Sequence, residues 1–600
     1  MTTVKFPHFN TVLCIILFSL ALVTCKKIDN SANGGGGTIN PVTESLPDLT
    51  TKVTVVAVSG FVTDENDAAV QNAAVEVGGT IINTDKYGYF ETHNALVVQN
   101  AATVTINKTG YFKTVKTFIA AAGKSAFFRV KLLPKTPAGT FSAASGGTVS
   151  LSSGMAVTLP AGAVVNAASG ATYTGLVTVA AQQLSATDVN TSRTMPGDLR
   201  GLNNSGYMRV LTTYGMMAVE LTGTSGELLQ VASGKKATIT MPVPSTLQAS
   251  APATIPLWYF DESKGLWKEE GTAAKTGTNY VGEVSHFSFW NYDIGNALVY
   301  FSCRVVNNAG TPVPNAEVRI SAIAGALGYS GSGYTDADGY TGGGIPAGAE
   351  LLLEVFSNSS CGAASYSKRF TSGGQPIALG DLVISASTAI ATVSGTVTTC
   401  SNGPVTNGFV VVQNGSVLNR YALNSSGAYS FNMLLCGNTP VSATITAEDI
   451  SNTQQGASIV QTINAGVNTI PNIQACVPAE QFLNYTINGT PYSYATPTDG
   501  FTTMGGPLSN LYWLNVNNVQ ELDFIRTGMA QGTQQDLFKF YCPQIPYDPN
   551  FVTAAPIKVN ITEYGPVGYY ISGNFSGIII APPASSQYNI SCSFRFKRPY

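Results

Sequence analysis

The sequence predicts an all-β protein made of tandem β-sandwich modules, and three observations carry that expectation. Apolar residues alternate with polar ones in "VTVVAVSGFV", "ATVTINKTG", "KKATITMPV", "AEVRISAIA" and "GFVVVQNG", the period of a strand with one face in a core. Gly, Asn and Asp break these runs at short intervals, as in sandwiches joined by tight turns, and beyond the N-terminal apolar run no stretch sustains a helical period. The chain is 44% hydrophobic and only 11% charged, with 61 Gly and 30 Pro, so it is ordered but turn-rich. At 600 residues it exceeds what one core supports, and several modules follow.

Taken in order, residues 1–24 come first. Here "TVLCIILFSLALVT" follows Lys5 and is too short to span a bilayer as an ordinary helix, so it reads as a secretion signal. It ends in Leu22, Val23, Thr24 and Cys25, which resembles the lipobox of bacterial lipoproteins of the Bacteroidota type. The resemblance implies that Cys25 becomes a lipidated N-terminus whose partner is the outer membrane; a plain cleaved signal is the alternative. Residues 25–50 carry "NSANGGGGTINP", too polar and Gly-rich to fold alone, and read as a tether. Lys26 argues against inner-membrane retention, whereas Lys26 and Lys27 depart from the acidic residues usual after the cysteine of surface-exposed lipoproteins, so the face of the outer membrane stays open.

Three segments share one order of strand, turn, second strand and a turn closing on Gly before an aromatic residue. They begin "VSGFVTDENDAAVQNAAVEV", "FSCRVVNNAGTPVPNAEVRI" and "VSGTVTTCSNGPVTNGFVVV". The pattern resembles the carboxypeptidase regulatory-like domain, a transthyretin-like β-sandwich, and assigns modules 51–136, 297–387 and 388–476. The glycines suit positive-φ turns, and Asp85 and Asp336 are expected to bond their own turn backbone. No peptidase is implied: His8, His93 and His286 are the only histidines and none sits at metal-ligand spacing with an acid. "TDADG" at 335–339 lacks the further acidic ligands of a calcium loop and reads as a turn.

Residues 137–296 hold "GGTVSLSSGMAVTLPAGAV", "LTTYGMMAVEL", "IPLWYFDESKGLWKEEG" and "GEVSHFSFWNYD". Together these resemble the extracellular region of cartilage intermediate layer protein, which implies a further β-sandwich. Trp258 and Trp267 flank a turn with Asp261 and Gly265, the pattern of a hairpin whose tryptophans pack in a core. The tripeptide His286-Phe287-Ser288 is one at which some relatives of this sandwich cut their own backbone while many keep it uncut; cleavage would make Ser288 the nucleophile, Phe287 the source of the carbonyl and His286 the base. The favoured reading is a closing strand with inward aromatics.

Seven cysteines remain after the signal and Cys25, as expected of an oxidising compartment. Grouping them by module pairs Cys303 with Cys361 and Cys542 with Cys592, while Cys400, Cys436 and Cys476 compete. No Cys-x-x-Cys spacing suggests zinc. The last module, 477–600, is rich in Tyr, Phe and Asn, and is the first place to look for a glycan or protein ligand. Lys plus Arg number 31 against 34 Asp plus Glu, so no basic field attracts nucleic acid. The expectation is a non-catalytic, lipid-anchored envelope stalk that needs no cofactor and presents a terminal module for adhesion or carbohydrate binding. A glycan hydrolase of the envelope and a purely structural spacer are the alternatives.

Overall fold

The computed structural model describes residues 46–600 except 324–327, 358–360, 385–389, 437–438, 453, 479–480, 489, 496–500, 505–510, 518, 526–528, 531–532, 547–551, 565–569, 582–585 and 599–600. Cys25, the signal and most of the tether therefore lie outside the described residues. The regular secondary structure of the described chain is almost entirely strand. Where the sequence alternates, burial alternates with it: Ala102–Asn107 places Val104 and Ile106 in a core and Thr103 and Thr105 toward the other side.

The first sandwich packs a three-stranded sheet, with Ala57–Thr63 between Tyr89–His93 and Ala126–Lys131, on a four-stranded sheet ordered Thr80–Asn83, Ala74–Val77, Ala102–Asn107, Thr114–Phe118. Val58, Val62, Val75, Val104 and Val130 fill the space between them. The second unit has its own core around Trp290, Tyr292, Tyr280 and Leu257. Its hairpin Thr254–Asp261 and Leu266–Thr276 closes at Asp261 opposite Leu266, with Gly265 at φ 65°. Trp258 and Trp267 are both buried, so core packing explains them, as expected. Strand Phe289–Asn307 then runs on without a break. Its first part pairs with Met208–Thr222 and its last part with Tyr340–Pro346 and Ile377–Ile384, so the position between 296 and 297 falls inside a strand shared by two cores. Separate cores follow around Val305, Ile320 and Leu353, and around Val393, Val410 and Ile445. A final antiparallel ten-stranded sheet encloses Tyr512, Leu514, Leu522, Phe594 and Phe596.

The three similar segments use the same backbone devices. Asp85 Oδ1 accepts from the N–H of Tyr87 (2.8 Å) and Tyr89 (2.9 Å); Asp336 Oδ1 accepts from Asp338 (3.0 Å) and Tyr340 (2.8 Å); Asn424 Oδ1 accepts from Ser426 (2.9 Å) and Ala428 (3.0 Å). Gly88, Gly339 and Gly427 each lie at positive φ, and a Cβ on any of them would stand 2.3–2.4 Å from the carbonyl oxygen of Val62, Val305 or Val397. Such a contact forbids any side chain, which is why glycine closes all three turns.

Asn424 indicates that an amide does this work as well as a carboxylate. Burial pushes the Asp85 carboxyl up to about 6, against the pull of the Tyr89 N–H and the Arg420 charge. Folding therefore raises its proton affinity, and the carboxylate costs stability increasingly as pH rises from about 4 through 6. Asp85→Asn keeps the acceptor and removes the charge. It is expected to stabilise the chain by about 1–3 kcal/mol at pH 7 and hardly at all at pH 4. Scanning calorimetry of both proteins at the two pH values checks this; an equal effect at both would show that Asp85 titrates normally.

Candidate functional site

His286, Phe287 and Ser288 precede strand Phe289–Asn307. Gln230, on strand Leu228–Val231, grips the Phe287 peptide: its Nε2 donates to the Phe287 carbonyl (3.1 Å) and its Oε1 accepts from the Phe287 N–H (2.6 Å). The His286 ring packs edge-on to Tyr259 at 4.7 Å and against Trp290 at 5.1 Å, and the Trp290 indole donates to the His286 carbonyl (3.0 Å). Burial lowers the His286 pKa, with Glu270 opposing. The Ser288 hydroxyl donates to the Phe289 carbonyl (3.0 Å), on the side away from Phe287. Among the described residues no hydrogen bond joins His286 to Ser288, and none of the three has positive φ. The tripeptide is contiguous in sequence, but its base and nucleophile are engaged elsewhere.

The cysteine pairing differs from the expectation. Cys361 is bonded to Cys436 and Cys400 to Cys476, while Cys303, Cys542 and Cys592 are buried free thiols. Grouping by module fails because the first bond joins two modules: Cys361 follows strand Glu350–Phe356 and Cys436 follows Ala428–Leu434, with their Cα atoms 5.4 Å apart. Cys303 faces the core of Val305, Ile320 and Leu353, where burial pushes its thiol up to about 12. Cys542 lies by the Tyr485 hydroxyl and Cys592 is the cross-strand neighbour of Tyr485, so each thiol packs in the Tyr485 core rather than bonding to the other. Two disulfides are characteristic of a protein matured in an oxidising compartment.

Polar joints tie the first sandwich to three other units. Toward the fourth module, Lys86 pairs with Glu448 (2.8 Å), Arg420 with Glu91 (3.3 Å), and Arg129 donates to the Leu418 carbonyl and Asn419 Oδ1. The Arg129 guanidinium also lies over the rings of Phe61, Phe127 and, in the third module, Tyr334. Toward the second unit, Arg193 pairs with Asp67 (2.8 Å) and Lys116 donates to the carbonyls of Ser192 and Met195. The modules are cross-braced rather than joined only end to end.

In the last module the strands Leu511–Val516, Gln520–Ile525 and Gln534–Tyr541 are neighbours. Tyr512, Leu514, Leu522 and Phe524 point into the core, so the alternate positions Trp513, Asn515, Glu521, Asp523 and Lys539 share the outer face. The Trp513 indole donates to Glu521 Oε1 (2.8 Å), and Lys539 pairs with Glu521 Oε2 (2.8 Å). Asp523 stands in register between Trp513 and Lys539. It is only 8% exposed, and its Oδ1, like Asn515 Oδ1, has no hydrogen-bond partner among the described residues. Burial, then the Glu521 charge, pushes its carboxyl up to about 7, with Lys539 opposing. Sequence reasoning missed this face. Its signal was the two-residue spacing of Trp513 with Asn515 and Glu521 with Asp523, each interleaved with core residues.

With this geometry in view, the similarities of the chain are limited. No family model matches it. Cartilage intermediate layer protein 2 of Mus musculus is 32% identical over 106 residues, which cover 18% of this chain and 9% of that protein; the chain thus spans under a tenth of that relative's length. Among solved structures, the shaft pilin SpaA of Lactobacillus rhamnosus GG is similar over 30% of this chain and 98% of its own, at 11% identity and a TM-score of 0.17. The minor pilin GBS52 of Streptococcus agalactiae covers 30% of this chain with 97% of its own, at 9% identity and a TM-score of 0.13. The Bacillus anthracis TIE protein covers 69% of this chain with 66% of its own, at 8% identity and a TM-score of 0.15. The chain is a tandem β-sandwich protein. Part of it is similar to a cartilage intermediate layer protein.

Proposed function

We propose that the chain is a non-catalytic envelope protein, tethered to the outer membrane through lipidated Cys25, that presents its C-terminal module for adhesion or carbohydrate binding. The observation that carries this reading is the outer face at Trp513, where two acceptors without partners among the described residues stand in a module whose ten strands form a sheet of their own. The signal, the cysteine after Thr24 and the Gly-rich tether supply the anchor. The three segments that resemble carboxypeptidase regulatory-like domains act as spacers; the joint at Arg129 ties the first to the other two, and the joint at Arg193 ties the first to the second unit. The partners are the membrane and an extracellular ligand, not nucleic acid. Cys25→Ser is expected to move the protein from the membrane pellet to the soluble fraction on cell fractionation. Unchanged membrane association would overturn the lipid anchor.

A further inference from the structure

We propose that the outer face of Leu511–Val516, Gln520–Ile525 and Gln534–Tyr541 binds a neutral saccharide chain, with Trp513 as the stacking surface and Asp523 and Asn515 as partners for its hydroxyl groups. The inference rests on the reading that the C-terminal module is the presented one, and it names where and what that module binds. Buried acceptors are nearly always satisfied, by protein or by water, and two on one face without a donor among the described residues are places for a donor from outside the chain. Asp523 is the cross-strand partner of Trp513, and Asn515 lies two residues along the strand from Trp513, so both acceptors are neighbours of the Trp513 position.

The charges select the ligand class. Lys539 neutralises Glu521 at 2.8 Å, and the raised proton affinity of Asp523 leaves it only about half ionised near neutrality. A face so balanced attracts neither a polyanion nor a polycation over distance. It offers hydrogen-bonding groups next to an apolar ring. A pyranose has the complementary surface, with C–H groups on one face and hydroxyls at its edge, and the indole, with its N–H held by Glu521, is fixed to receive it. In either protonation state the Asp523 carboxyl can bond a hydroxyl, as acceptor when ionised and as donor or acceptor when protonated. The face lies on a sheet surface, which suits an extended chain rather than a small enclosed metabolite.

The test uses the full-length protein in detergent, with mannan, xylan, laminarin and cellohexaose as neutral probes and alginate and hyaluronan as anionic ones, read by affinity electrophoresis and titration calorimetry. At least one neutral probe is expected to bind, Trp513→Ala to weaken it by about tenfold or more, and Asp523→Ala to do the same. Asp523→Asn, which keeps an acceptor, and Trp513→Phe, which keeps a ring, are expected to retain more binding than the alanine variants; their melting temperatures guard against misfolding. Phe538→Ala removes an exposed ring at the bulge beside this face and is expected to leave binding unchanged. If a neutral probe binds and only Phe538→Ala weakens it, this face is wrong while the carbohydrate-binding reading of the module stands. Binding of the anionic probes alone overturns the neutral class. If no probe binds, the saccharide site is overturned, and adhesion by the module is left to a protein ligand.

Discussion

Arg200→Ala is expected to destabilise the joined modules by about 3–5 kcal/mol, the usual cost of breaking a buried ion pair by removing one partner. Arg200 is fully buried. Its Nη1 donates to the Asn100 carbonyl of the first sandwich (2.6 Å), and its Nε donates to Asp198 Oδ2 (2.8 Å) in the second unit. The side chain also lies against Gly344 of the third module, where an added Cβ would stand 3.4 Å from Arg200 Cδ. Truncation strands the Asn100 carbonyl and leaves a void where three modules meet. Asp198 is 24% exposed, so water recovers part of its loss and the effect falls toward the lower end of the range. Arg200→Lys keeps the charge without the planar fork and is expected to fall between parent and alanine. Scanning calorimetry reads the outcome as a lower and less cooperative transition for Arg200→Ala; a melting curve like that of the parent would show that this arginine holds nothing together.

How much of this was legible depends on the range of the interaction. Strands, turns and hairpins follow from residues a few positions apart, so the alternation of "ATVTIN" and the Asp-x-x-Gly turns at Asp85 and Asp336 could be read directly. The burial of Trp258 and Trp267 was legible for the same reason, because the turn between them fixes their register. The joints were not, since Arg129 contacts Leu418 and Asn419 across a sequence distance at which a single arginine carries no pattern. In a chain with only 11% charged residues, an arginine inside the apolar run "AFFRVK" was itself a hint that a partner lay elsewhere. The His286 tripeptide is the opposite case: the motif is local, but the groups that hold it, Gln230, Tyr259 and Trp290, come from three separate strands. The outer face at Trp513 lay between these cases, with its spacing visible along each strand and its assembly dependent on which strands became neighbours.

The same distinction between local and distant contacts governs the cysteines, and it predicts a second large effect. Non-reducing peptide mapping is expected to recover Cys361 linked to Cys436 and Cys400 linked to Cys476, with Cys303, Cys542 and Cys592 as thiols that alkylate only after unfolding. The Cys361–Cys436 bond closes a separation of 75 residues and ties the third module to the fourth. Cross-links over such loops stabilise by about 2–4 kcal/mol, largely by restricting the unfolded chain. Cys361→Ser paired with Cys436→Ser is therefore expected to lower the melting temperature of these two modules together, because their relative position loses a covalent constraint while each retains its own core. The bond Cys400–Cys476 lies within the fourth module, joining the end of Ile390–Thr399 to Ile473–Pro478, strands already paired in parallel. Its removal is expected to affect that module alone. Recovery of Cys303 linked to Cys361, the pairing that module grouping suggests, would overturn this assignment and with it the covalent joint between the third and fourth modules.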